Sequence, residues 1–133
     1  MKIFGICCKQ IKTMVKKITS VKDVVVGQKL YYFMSGELCT CIVSHIDVDE
    51  EDSEEDIIHC CTEKNWEKYK NSDDMDIIMH SFGFYADANV PQTMRDKMCF
   101  SKKDAIENAL HEVGREYEEK CAVLRKMLNE NDV

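Results

Sequence analysis

The chain has 133 residues, 44% of them hydrophobic and 32% charged, with a formal net charge of −7. That length suggests one domain, large enough to bury a core without cross-links. One proline and five glycines leave no linker to divide it. The charge is uneven. The first 22 residues hold six lysines and no acid, whereas the rest carry 12 basic and 25 acidic groups. An acidic body repels a phosphate backbone, so direct nucleic-acid binding is not expected. It suits solubility, or a protein partner with a basic surface.

Eight cysteines make compartment the next question. The start, Met1-Lys2-Ile3-Phe4-Gly5-Ile6-Cys7-Cys8-Lys9, is too short an apolar stretch for a secretory signal. No run reaches the length of a transmembrane segment. The expectation is a cytoplasmic protein whose thiols stay reduced and serve as small hydrophobes.

Residues 1–18 form the first predicted unit, a basic amphipathic segment with Ile3, Cys7, Ile11, Met14 and Ile18 at helical spacing. Met14-Val15-Lys16-Lys17 also resembles a start, which leaves two candidate first residues. Residues 19–100 are predicted as an antiparallel β unit. Lys29-Leu30-Tyr31-Tyr32-Phe33 is its first strand, Ser35-Gly36 a tight turn, and residues 37–46 its second strand. In that second strand Cys39, Cys41 and Val43 share a face, because side chains alternate. Residues 47–56 contain eight acids in ten positions, which predicts a solvated loop. Ile57-Ile58-His59-Cys60-Cys61-Thr62 reads as a third strand and residues 76–85 as a fourth. Between them, Asn65-Trp66-Glu67-Lys68-Tyr69 and Asn71-Ser72-Asp73-Asp74 read as a loop or short helical turn. Residues 86–97 are expected to be irregular, with Met98-Cys99-Phe100 as a short closing strand.

The last unit is a helix over 101–131. Ser101 is a good N-cap, Asp104 follows three residues on, and Phe100 can staple onto Ala105. Ile106, Leu110, Val113, Tyr117, Leu124 and Met127 recur in steps of three and four. Cys121 and Leu128 belong to a slightly shifted stripe, and Gly114 is the one interruption. Thirty helical residues span roughly 45 Å. Strands of five to seven residues offer only about 25 Å of surface. The helix must therefore fold back near Gly114 or project, and a projecting end needs a partner.

Two segments carry a resemblance. Val24-Val25-Val26-Gly27-Gln28-Lys29-Leu30-Tyr31-Tyr32-Phe33 resembles the opening of small SH3-like barrels. Cys99-Phe100-Ser101-Lys102-Lys103-Asp104-Ala105-Ile106 is similar to a segment that precedes the last helix in many small proteins of phages and Firmicutes mobile elements. Together they cover less than a fifth of the chain. The acidic loop, residues 86–97 and the cysteines depart from the pattern. The resemblance implies an α+β fold: a small antiparallel β-barrel or curled sheet of four to five strands, then a long C-terminal helix. It also implies a phage or mobile-element origin.

Candidate sites follow from residue chemistry. Cys39-x-Cys41 and His59-Cys60-Cys61, with Cys7 and Cys8, are weighed as zinc ligands, but the usual C-x₂-C knuckle is absent and no metal or cofactor is assigned. No Gly-rich elbow, H-E-x-x-H or phosphate loop points to an enzyme. Asp47, Asp49 and Glu51 alternate as in a calcium loop, but the glycine such a loop requires at its sixth position is missing. The basic start with Cys7-Cys8 suits an anionic membrane surface or S-acylation. Asp49, Glu50, Glu51, Asp52, Glu54 and Glu55 are candidate partner-binding residues that could mimic nucleic-acid phosphates in a basic groove. Tyr117, Leu124, Met127 and Leu128 are candidates on the helix. Trp66, Tyr69, Phe82, Phe84 and Arg95 form a candidate pocket for a stacked nucleotide base. The leading expectation is a non-enzymatic protein-interaction module. It would inhibit a host defence protein through the acidic loop and projecting helix, and would self-associate through that helix. The other expectation is an oligomeric, nucleotide-sequestering protein.

Overall fold

The computed structural model describes residues 15–131. Most of the predicted N-terminal segment, including both candidate starts and Cys7-Cys8, lies outside the described residues. Its described end, residues 15–18, is not helical, and Val15 and Ile18 are buried. Ser20 then caps a short 3₁₀ turn, Val21–Asp23, and its own amide donates in return to the Asp23 side chain.

Four antiparallel strands follow in the order β1-β2-β3-β4, an open meander. β1 is Lys29–Met34 and β2 is Glu37–Asp47. Met34 pairs with Glu37, so only Ser35 and Gly36 form the turn. Both have positive φ, 53° and 80°. That is the type I′ geometry whose twist matches flanking strands, and it explains the glycine. β3 is Ile57–Cys61 and β4 is Phe82–Tyr85. The inner face carries Leu30, Cys41, Val43, Ile58, Cys60 and Phe84, and Ile18, Val24, Ala86 and Met98 complete that core.

Two parts of the expected β unit are corrected. The predicted fourth strand, 76–85, divides into a helix and a strand. Asp73 accepts a hydrogen bond from the Asp76 amide at 2.9 Å and caps a helix over Asp74–Met79, leaving only the last four residues extended. A short apolar run such as Ile77-Ile78-Met79 fits either period, and the cap decides it. The predicted closing strand is a single bridge. Tyr31 and Cys99 exchange two backbone hydrogen bonds at the outer edge of β1, of 2.9 and 2.8 Å. The sheet is therefore a curled, open one rather than a barrel.

The helices are α1, Glu63–Tyr69; α2, Asp74–Met79; α3, Thr93–Lys97; and α4, Lys102–Glu130. α1 and α2 lie against β2. Residues 86–97 are otherwise irregular, as expected, and Arg95 organises them. Its guanidinium, 4% exposed, donates to the carbonyls of Tyr85, Asp87 and Val90. Ser101 caps α4 by accepting from the Asp104 amide at 3.1 Å. The helix runs unbroken through Gly114, so the fold-back alternative does not occur.

Candidate interaction site

The first turns of α4 are held by the body. Ala105 is buried with Val15 and Cys99, against Tyr31. Lys17 donates to the Asn108 side chain at 2.7 Å and to the Asp96 carbonyl at 2.8 Å, tying α4 to α3. Val113 and Glu116 line a groove against the hairpin tip, Phe33 to Gly36. Past that groove, from Glu116 to Asn131, every residue is exposed except half-buried Cys121. Tyr117 to Glu130 therefore extend about 20 Å beyond the groove at 1.5 Å per residue.

The projecting portion is not polar all round. Ile106, Leu110, Val113, Tyr117, Cys121, Leu124 and Leu128 fall within roughly 80° of the circumference at 100° per residue. Leu110 is 52% exposed, Tyr117 60%, Leu124 64% and Leu128 69%. The stripe stays straight because its steps are 4-3-4-4-3-4, close to the period of the helix itself. Met127, expected on this stripe, lies beside it with Val123, and both are more than half exposed. The opposite side is ionic, with Arg115 bridging Glu112 at 2.9 Å and Glu119 at 2.8 Å. The Arg115 bond holds the Glu112 carboxyl below its ordinary pKa, against the opposing effect of burial.

The acidic loop divides into two sets. Its aspartates build the loop. Asp49 accepts from the amides of Glu51 and Asp52, Asp52 from that of Glu54, and buried Asp56 from that of Asp49. A short 3₁₀ turn, Ser53–Glu55, results. Glu50, Glu51, Glu54 and Glu55 are exposed, and none has a side-chain hydrogen bond or ion pair among the described residues. Four free carboxylates on a fixed turn make an electrostatic surface, whereas Asp49 and Asp52 serve its backbone.

The five residues of the expected aromatic pocket do not converge. Phe84, 2% exposed, is core. Phe82 packs edge-on to Tyr32, with ring centroids 6.5 Å apart. Trp66 lies over Gly27 and Tyr69 stacks on His80 at 4.1 Å, so both serve to seat α1. Arg95 is committed to backbone carbonyls.

A cluster that sequence reasoning missed sits where β2 and β3 pair. Asp47 accepts from His45 Nε2 at 2.8 Å and from His59 Nε2 at 2.7 Å. The two rings are 5.7 Å apart. Burial opposes ionisation of Asp47, but the two histidine bonds prevail and hold its carboxyl below the usual range. Alternation from Cys41 and Val43 would put His45 in the core. A bulge between Val43 and His45 reverses the parity and brings His45 opposite His59.

Among the described residues, no group of three or more His, Cys, Asp or Glu side chains is placed to hold a metal ion. Cys41, Cys60, Cys61 and Cys99 are buried. A hydrogen bond to Cys41 together with burial drives the Cys60 pKa far up, and burial raises Cys61 and Cys99. These are packing thiols, since only the thiolate is a good nucleophile or ligand. No described helix is long and apolar enough to cross a membrane.

Compared with protein-family models, with curated proteins and with solved structures, the chain has no match.

Proposed function

We propose that this chain is a non-enzymatic protein-interaction module whose working surface is the apolar stripe of α4. The observation that carries this reading is the stripe itself. Seven residues line one side of a helix whose residues from Tyr117 to Asn131 are exposed, apart from half-buried Cys121. Burying such a face against a partner is favourable at about 25 cal/mol per Å² of apolar area. The four free glutamates of the acidic loop add a surface that steers a basic partner, which affects association rate more than affinity. A host defence protein as that basic partner is the specific form of the proposal suggested by the chain's size and acidity, and a phage or mobile-element origin is the form that the resemblance of its two segments implies. The nucleotide-sequestering alternative has no converged aromatic site to support it.

Photo-cross-linking in the cells that make the protein tests the reading. A benzoylphenylalanine at Tyr117, on the stripe, is expected to give a discrete protein adduct. The same group at Glu119, on the opposite face, is expected to give none. Equal adducts at both positions, or none at Tyr117, would contradict the proposal.

A further inference from the structure

We propose that the occupant of the stripe is α4 of a second copy of this chain, packed antiparallel with the two-fold axis beside Tyr117. The inference rests on the reading of α4 as the docking surface and names its partner. It starts from the spacing. Steps of 4-3-4-4-3-4 read the same in both directions about Tyr117. An antiparallel copy centred there sets Ile106 against Leu128, Leu110 against Leu124, Val113 against Cys121, and Tyr117 against itself. Every member of the stripe gains an apolar partner and none is left over. An isologous contact of this kind is closed, since the same patch serves both copies.

Charge selects the same orientation. Residues 104–119 carry six acids and one arginine, a net −5, whereas residues 120–130 carry three bases and one acid, a net +2. A parallel pair lays the acidic halves side by side, an antiparallel pair sets each against a basic half. Flanking the stripe, Glu107 comes within two residues, about 3 Å along the axis, of Arg125 of the second copy, and Glu116 equally close to Lys120 of the second copy. Glu116 and Glu118 each come near their own copies across the axis and are the unfavourable pairs. Antiparallel packing also sends the two sheet-bearing bodies to opposite ends.

The off-stripe residues Val123 and Met127 fit this arrangement. They lie on the side of the helix that, in an antiparallel pair, turns toward the corner between α4 and the hairpin tip of the other copy. Phe33 and Met34 line that corner and are more than one-third exposed. The dimer thus supplies a counterpart for exposed apolar residues on two elements.

Cysteine placement makes the orientation measurable in the full chain. In the antiparallel pair the two copies of Cys121 are about 12 Å apart along the axis, eight residues at 1.5 Å each, too far for a disulfide. Val113→Cys brings a thiol level with Cys121 of the second copy. On copper-catalysed air oxidation, this variant is expected to yield a covalent dimer whose linking peptide joins positions 113 and 121. The unsubstituted chain is expected to give no link between its Cys121 thiols. By sedimentation equilibrium at tens of micromolar, the unsubstituted chain should show twice its 15.5 kDa mass. Leu124→Glu, at an exposed site where folding is not at stake, should return it to monomer. Glu107→Arg should weaken the dimer at least several-fold, and Glu107→Arg with Arg125→Glu should restore it. A Cys121–Cys121 link overturns the orientation. A monomeric mass overturns the second copy as occupant, and a Tyr117 adduct to another protein would then leave the docking reading standing. A monomer with no Tyr117 adduct defeats both.

Discussion

Residues whose chemistry suggests function are mostly engaged inside the fold. Arg95 was a reasonable phosphate ligand by type, yet three carbonyls of residues 85–90 take its donors. Phe84 and Phe82 were reasonable stacking platforms, yet they belong to the sheet's inner face. Residue type does not show which polar groups a fold must satisfy, and an irregular segment with buried carbonyls consumes a guanidinium. Asp47 makes the opposite case, a residue of the charge run, weighed as a calcium-loop position, that proves to be held by two imidazoles. Its lowered pKa gives a testable sign. The unfolded carboxyl titrates near about 3.9, so the ionised folded form contributes stability above that pH. The contribution disappears as pH falls through the lower folded value. Between pH 5 and pH 3, roughly one unit either side of the ordinary value, the urea midpoint should fall more steeply in the unsubstituted chain than in Asp47→Asn. Parallel slopes would show that the histidine bonds do not bias ionisation.

Elements with strong local signals were legible in the sequence, and those decided by a single contact were not. The β1–β2 hairpin followed from a strand, Ser35-Gly36 and a second strand, and the start of α4 followed from Ser101. α2 was misread because Ile77 and its neighbours fit two periods, and the Asp73 cap is the deciding feature. The bulge after Val43 has no glycine or proline to announce it, so the face of His45 could not be read. The closing strand shrank to the Tyr31–Cys99 bridge because Lys102 already begins α4. At the hairpin, Gly36 has φ of 80° and open space around its α-carbon. Gly36→Ala therefore meets no clash, and its cost is the left-handed backbone alone, about 1–2 kcal/mol. Thermal or urea unfolding should show that loss. A smaller loss, within a few tenths, would mean the turn relaxes to another type.

At the scale of the molecule, the mismatch between a long helix and a small sheet was visible from lengths alone, and the structure resolves it in favour of projection. What lengths could not show is that the stripe is straight, symmetric about Tyr117 and beside an exposed hairpin tip. A helical extension of about fourteen residues with no tertiary packing needs no new nucleus but frays from its free end, because each added residue contributes little. In the proposed dimer the second copy covers the stripe and holds residues 117–130 as helix in solution. Amide hydrogen exchange of the purified full chain measures this directly. The account predicts protection over residues 117–128 comparable to that over 105–112, lost in that stretch alone when Leu110→Glu and Leu124→Glu are combined. Rapid exchange over 117–128 in the unsubstituted chain, unchanged by those substitutions, would contradict it.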